Sequence, residues 1–267
     1  MDTQLRDLVV VITGASGGIG WACAEAFAAE GARLVLHAHR AGDELERRVA
    51  ASTWGERAIT LRGDLRDEST NEDLLRRGRE RFGRVDVAVL SAGIWPPEPR
   101  PLWELDLPRI REVLDTNLLA VILGARAFLR GLAAAGPRSD GRGASLCLIG
   151  STAGRFGEAG HSEYATSKAA LVGLMLSLKN EIVRLDPYGR VNLVEPGWTV
   201  TEMARPALAE PGLLPRVLST MPLRQLARPE DIARAVAING DDGYIYGAGQ
   251  EYMAGQFATL WLRKINP

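Results

Sequence analysis

The sequence predicts an α/β fold in one domain, a doubly wound seven-stranded parallel sheet with helices on both faces. Two observations carry this. Short runs rich in β-branched residues alternate along the 267 residues with longer stretches of helical period. Several of the short runs, such as LVVVIT at 8–13, are apolar throughout, as a strand must be when helices cover both of its sides.

The elements follow in order. The first strand, Leu8–Thr13, ends at a glycine-rich turn and is followed by a helix over Ile19–Glu30. The second and third strands are Arg33–Ala38 and Ala58–Leu61, and a helix over Ser69–Arg81 leads to the fourth, Val85–Leu90. A long helix starts at Pro108, which suits a first helical turn, and runs to about Ala135, where Gly136-Pro137 stops it. After a polar, glycine-rich loop comes the fifth strand, Ser145–Gly150, then a helix over Ser162–Leu185, the sixth strand, Arg190–Glu195, and the seventh, Glu251–Ala254. No repeat, low-complexity tract or linker divides the chain, so residues 1–267 are expected to form a single domain. Within it, 198–226, rich in Pro, Leu and Met, reads as a mobile substrate lid or equally as packed core, and 257–267 as a C-terminal tail.

Composition excludes several functions. The 32 Lys+Arg balance 33 Asp+Glu, a net charge of −1, and nothing in that balance recruits nucleic acid or an anionic membrane. Cys23 and Cys147 sit in apolar segments without CxxC spacing, which argues against disulfides or a zinc site and for a cytoplasmic protein. The apolar stretch Leu118–Phe128 is broken by Arg126 and is far shorter than the roughly 20 residues of a membrane span. The N-terminus lacks the basic start of a signal peptide.

Two segments carry chemistry. In Thr13-Gly14-Ala15-Ser16-Gly17-Gly18-Ile19-Gly20, glycines let backbone approach a ligand between a strand and a helix whose N-terminal amides can hold a pyrophosphate. In Tyr164-Ala165-Thr166-Ser167-Lys168, the tyrosine and lysine share one helical face. Only three of the 32 basic residues are lysines, and an ammonium at that spacing is placed to favour a phenolate. Ser151 follows the fifth strand, at the end where open α/β sheets keep their ligands, and its hydroxyl can hold a substrate oxygen. Asn117 lies inside the long helix, a mildly unfavourable place for Asn unless it is capped or solvent-facing.

Taken together, these residues resemble the short-chain dehydrogenase/reductase family, in its compact branch with one Rossmann-fold domain. The resemblance runs from residue 8 to about 255. It rests on Gly14, Gly18 and Gly20, on Asp64-Leu65 after the third strand, on Ala92-Gly93 after the fourth, on Asn117, Ser151, Tyr164 and Lys168, and on Pro196-Gly197 with Thr201. It implies that Tyr164 is the general acid/base, that Lys168 lowers its pKa and binds the nicotinamide ribose, that Ser151 positions the carbonyl and that Asn117 supports a water-linked proton relay. It further implies that Ser16 and Ile19 belong to the phosphate turn, that Asp64 contacts the adenine, and that Pro196 to Thr201, Thr199 included, holds the carboxamide. A homodimer or homotetramer is implied as well. Two departures stand out. Leu90-Ser91 replaces the family's usual Asn pair, which weakens an expected link between strands, and near the C-terminus Tyr244-Ile245-Tyr246-Gly247 and Gly255-Gln256 stand where the family has YITG and a Gly-Gly turn, with a shortened stretch before them.

The second strand ends His37-Ala38-His39-Arg40, with no acid until Asp43. A carboxylate on the ribose diol is therefore lacking, whereas Arg40, with His39 or Ser16, can meet a 2′-phosphate, so NADP is the expected cofactor. This ending is also similar to that of NADP-dependent pteridine reductases. The histidines have no metal-ligand company. For the substrate, a small-molecule carbonyl or alcohol, the expected pocket residues are Trp95, Arg155, His161 and Trp198. Two rivals remain: a catalytically silent NADP-binding regulator, which has no use for Ser151, Tyr164 and Lys168 together, and a nucleotide-sugar epimerase, which uses a Tyr/Lys pair but a longer C-terminal region.

Overall fold

The structure, a computed structural model, describes residues 3–221, 223–240 and 251–254, with side chains described through residue 237. The strands are β1 (Val9–Thr13), β2 (Arg33–Ala38), β3 (Ala58–Arg62), β4 (Val87–Leu90), β5 (Ser145–Ile149), β6 (Arg190–Pro196) and β7 (Glu251–Ala254). They form one parallel sheet in the order β3-β2-β1-β4-β5-β6-β7. The expected tail lies outside the described residues, as do Tyr244-Ile245-Tyr246-Gly247 and Gly255-Gln256.

The helices are α1 (Gly18–Ala29), α2 (Gly42–Ala50), α3 (Glu68–Phe82), α4 (Leu107–Leu114), α5 (Ala120–Ala135), α6 (Thr152–Phe156), α7 (Ser162–Ile182), α8 (Arg205–Leu208), α9 (Leu213–Ser219) and α10 (Pro229–Gly240). Alternate residues of each central strand feed two cores. Val10 and Ile12 join α1, α2 and α10 on one face, and Val9 and Val11 join α3, α5 and α7 on the other. This is why the strands read as continuous apolar runs.

The expected single helix from Pro108 to Ala135 is interrupted. Between α4 and α5, Asp115–Leu119 forms a π-turn, in which the Ala120 amide bonds to the Asp115 carbonyl. A π-turn inserts one residue into the ladder and re-aims its neighbours, and here it turns Asn117 inward, fully buried, against the capped or solvent-facing expectation. The whole stretch Leu107–Ala135 is long and apolar enough to cross a membrane, but Val121, Ala125, Phe128 and Leu132 bury it in the core beside α3 and α7. The lid stretch carries α8 and α9, which sequence period did not reveal.

The sheet reverses its winding direction between β1 and β4, and a ligand crevice opens at the C-terminal ends of strands at such a point. Gly14 closes it, at a φ of 65° and with so little room that an added Cβ would stand 2.8 Å from the Ala92 Cα. The link that Leu90-Ser91 was expected to weaken is made from the other strand. The Thr13 hydroxyl accepts from the amides of Ser91 and Ala92 at 3.0 and 3.1 Å. Thr13→Val keeps the shape and leaves both amides without that acceptor, so urea unfolding should show a loss of about 1–3 kcal/mol. An unchanged midpoint would mean that the link contributes nothing.

Candidate active site

A cleft of about 1020 Å³ runs across the C-terminal ends of the strands. Its adenosine end is built by the turn after β1. No side chain caps the start of α1, so its first amides, at Gly18, Ile19 and Gly20, are free to bind an anion. A Cβ on Gly20 would run into the Gly14 carbonyl, and one on Gly18 would meet the Thr201 side chain at 3.0 Å. These positions are a cradle that only glycine leaves open, and Gly14, Ser16, Ile19, Leu65, Ala92, Gly93, Pro196, Gly197, Thr199 and Thr201 line the same cleft. Thr199 also donates its hydroxyl to the Gly197 carbonyl at 2.9 Å, shaping that turn.

His37 pins the turn from beneath. Its Nδ1 accepts from the Gly14 amide at 3.4 Å, and its Nε2 lies 3.0 Å from the Gly63 carbonyl, which fixes the tautomer. Burial lowers the His37 pKa, in keeping with a neutral ring. The packing reading of this histidine therefore holds.

At the end of β2, Ala38 is buried in the core and presents nothing to the cleft, while His39 and Arg40 line it. Arg40 is exposed and makes no ion pair or hydrogen bond among the described residues. The nearby acids are spoken for. Asp43 lies 3.7 Å from Arg62, and Asp64 is gripped by Arg66 with His39 at 3.7 Å. The hydrogen bond from Arg66 holds the Asp64 carboxyl down at about 2. A further contact was not foreseen: Arg48 lies over the Trp21 ring, 3.9 Å from its centroid, and donates to the Ser16 carbonyl at 3.4 Å.

At the reactive end, β5 and α7 deliver the polar groups. Ser151 caps α6, its hydroxyl accepting from the Ala153 amide at 3.1 Å, and it lines the cleft with Tyr164, whose phenolate it favours. Gly154 lets α6 lie directly on α7, since a Cβ there would be 2.7 Å from the Ala169 nitrogen. Lys168 is only 5% exposed, and its Nζ donates to the Ile149 carbonyl at 2.9 Å. A Cβ on Gly93 would sit 3.4 Å from that Nζ.

The electrostatics depart from expectation. Burial pushes the Tyr164 phenol up to about 12, against the pull of Ser151 and helped by the nearby Glu158 carboxylate. Burial likewise pushes the Lys168 ammonium down to about 8. Lysine alone therefore does not bring the phenol toward neutrality. Its Nζ is committed to Ile149 and lies 5.9 Å from the tyrosine ring centroid.

Two expected site residues lie off the cleft wall. Asn117 sits behind it, its Oδ1 accepting from the Ile94 amide at 2.8 Å and its Nδ2 donating to the Ile94 carbonyl at 2.9 Å and to Ser167 Oγ at 3.3 Å. Its amide is occupied in clamping the loop after β4. Arg155, expected to read substrate, instead holds the fully buried Glu195 at 2.9 Å. A carboxylate that far from water needs such a partner, and sequence offers no sign of a pairing 40 residues apart. Trp95, His161 and Trp198 do line the cleft, and with them stands Glu158, which had not been singled out.

Comparison with known proteins agrees with this geometry. Residues 8–211 match the family model for short chain dehydrogenases. The chain is 34% identical to cis-4-hydroxycyclohexanecarboxylate dehydrogenase of Sinomonas cyclohexanicum, over 93% of this chain and 95% of that one. It is also 34% identical to L-rhamnose 1-dehydrogenase (NAD(P)(+)) of Azotobacter vinelandii, over 96% and 99%. The crystal structure of a short-chain dehydrogenase/reductase from Brucella melitensis, described as a glucose/ribitol dehydrogenase, superposes with a TM-score of 0.83 at 29% identity, covering 95% of this chain and 97% of that one. The chain belongs to the short-chain dehydrogenase/reductase family, oxidoreductases that move a hydride between a nicotinamide cofactor and a CH–OH/C=O group.

Proposed function

We propose that this protein is an NADP(H)-dependent oxidoreductase of a small alcohol or carbonyl compound, with Tyr164 as its general acid/base. The observation that carries the reading is the convergence of Ser151, Tyr164 and Lys168 at one end of a cleft whose other end is an anion cradle flanked by Arg40. A silent NADP-binding regulator would need only the second half. The relatives support the direction of this reading, being named for a hydroxycyclohexanecarboxylate and for rhamnose. Cytoplasmic residence and a homodimer or homotetramer belong to the same reading. Exposed Leu119 and Ile122 on the central helix and Leu176 and Val183 at α7 offer an apolar face for self-association.

The amides of Gly18, Ile19 and Gly20 would hold the pyrophosphate, Arg40 the 2′-phosphate and Lys168 the nicotinamide ribose. When bound, the nicotinamide supplies or takes the hydride. In reduction, Ser151 and Tyr164 hold the substrate oxygen, and the phenol gives its proton to that oxygen as the alkoxide forms. In oxidation the phenolate takes the proton back. A phenol pushed up to about 12 is ready as an acid at neutral pH. As a base it needs positive charge close by, from Lys168 and from the oxidised nicotinamide together. Asn117 acts by position, holding Ile94 and so the cleft wall.

Three tests follow from this chemistry. Tyr164→Phe should bind NADPH as the native protein does and lose at least nine-tenths of turnover. Retention of more than a tenth would refute the acid role. Arg40→Ala should remove most of an NADPH-over-NADH preference of about 10- to 150-fold, the equivalent of one charge-assisted hydrogen bond. Equal or tighter binding of NADH by the native protein would refute the 2′-phosphate reading. The third test concerns stability. Lys168 is pushed down to about 8 from 10.5, so the unfolded chain binds the extra proton between those values, and stability rises with pH across that window. Keeping the ammonium charged at pH 7 costs about 3 kcal/mol. Lys168→Met should therefore unfold at higher denaturant concentration than the native protein at pH 7, lose that pH slope, and lose activity. A less stable Met variant would contradict the account.

A further inference from the structure

The substrate end of the cleft holds a side-chain cluster that hydride and proton transfer leave unused. The Trp95 indole stacks on the His161 imidazole, with 4.6 Å between centroids and 19° between planes, and meets Trp198 edge-on at 5.9 Å. Trp95 Nε1 donates to Glu158 Oε2 at 3.3 Å. His161 Nε2 lies 2.9 Å from the Pro96 carbonyl. A carbonyl only accepts, so Nε2 carries a hydrogen and Nδ1 is the ring atom left for another partner.

That Nδ1 is buried and has no hydrogen-bond partner, on a residue 4% exposed. Glu158 Oε1 stands 3.6 Å from it, beyond hydrogen-bond reach. Buried polar atoms are normally paired, and a pair left open on a cleft wall marks a place where a ligand group completes it. With one proton held between the Glu158 carboxyl and His161 Nδ1, the pair presents one donor and one acceptor. A hydroxyl matches both and is small enough for such a site.

We propose that Glu158 and His161 form a hydroxyl-recognition site, and that the substrate is a neutral ring compound carrying a second hydroxyl close to the reacting carbon. The proposal rests on the reading of Tyr164 as the acid/base. His161 immediately precedes α7 and Tyr164 lies in its first turn, so both reach the cleft from the start of one helix. A second hydroxyl near the reacting carbon suits that proximity. The indoles of Trp95 and Trp198 give an apolar corner for the C–H face of a ring. A carboxylate in the hydroxyl's place has no hydrogen to donate, so it leaves the pair's acceptor unmatched.

The test uses three ring probes: cis-1,2-cyclohexanediol, cyclohexanol and cis-2-hydroxycyclohexanecarboxylate. Their binding to the full chain is measured by calorimetric titration with and without NADPH, and their oxidation by steady-state kinetics with NADP+. The diol should exceed cyclohexanol by about 10- to 100-fold in affinity and in kcat/KM, and the carboxylate should be the poorest. Glu158→Gln and His161→Phe should each bring the diol-to-monoalcohol ratio below about 3. Because it is a ratio, partial misfolding does not move it. Equal handling of diol and cyclohexanol by the native protein, a ratio unmoved in both variants, or binding of none of the probes overturns the site. Preference for the carboxylate overturns the neutral-substrate assignment. If the binding ratio holds while Tyr164→Phe keeps its turnover, the hydroxyl site stands and the acid/base reading alone fails.

Discussion

The reactive end of this molecule is organised around a lysine ammonium held out of water. Lys168 is 5% exposed, and its ammonium donates to the Ile149 carbonyl. Such a group is costly to the fold, and its surroundings are shaped to keep it there. Gly93 leaves room for it, Gly154 lets α6 press α7 against the sheet, and the end of β5 offers a carbonyl where the strand pairing stops. Tyr164, one turn earlier on α7, is disfavoured as a phenolate by the same burial. The site thus holds two groups whose charged forms are both penalised, a condition that makes their protonation responsive to charge brought in by a ligand.

The two ends of the cleft differ in electrostatic character, and this division of labour underlies the functional reading. At the adenosine end the acids are paired with arginines, leaving open amides and an unengaged guanidinium at Arg40. At the other end stand Trp95, Trp198 and the Glu158–His161 pair. On the proposed reading, the first end takes an anionic cofactor and the second a neutral substrate. Between them, the Thr13 hydroxyl and the Asn117 amide fasten the loop after β4 from opposite sides, so that Ala92 to Ile94 form a fixed wall.

Much of this was legible in the sequence, for physical reasons. Apolar runs bounded by glycines mark parallel strands, and Gly14, Gly18 and Gly20 mark backbone that must approach a ligand. Tyr164 and Lys168 are tied by helical spacing, which a linear reading can see. What escaped depends on contacts distant in sequence. Arg155 was expected to read substrate, and nothing in the linear order ties it to Glu195, buried beneath it. Glu158 gave no signal, because its burial comes from contacts with Trp95 and His161. The π-turn at Asp115–Leu119 is hidden because Leu118 to Leu123 are apolar almost without a break, so a slip of one residue leaves no visible change of face. The fall expected of the Tyr164 pKa counts the charges of Lys168 and of a bound nicotinamide together, and burial, which spacing does not reveal, opposes it in the chain alone.

The central claim is that Tyr164 is a phenol whose ionisation is suppressed by burial and released by cofactor charge. Its most direct test is the titration of the tyrosine side chains followed by 13C NMR at Cζ, with the Tyr164 resonance assigned by its loss in Tyr164→Phe. Cofactor-free protein should show Tyr164 ionising near 12, and saturation with NADP+ should move that value down by at least two pH units, with no such movement under NADPH. A Tyr164 pKa that is the same in the free protein and with either cofactor would contradict the account.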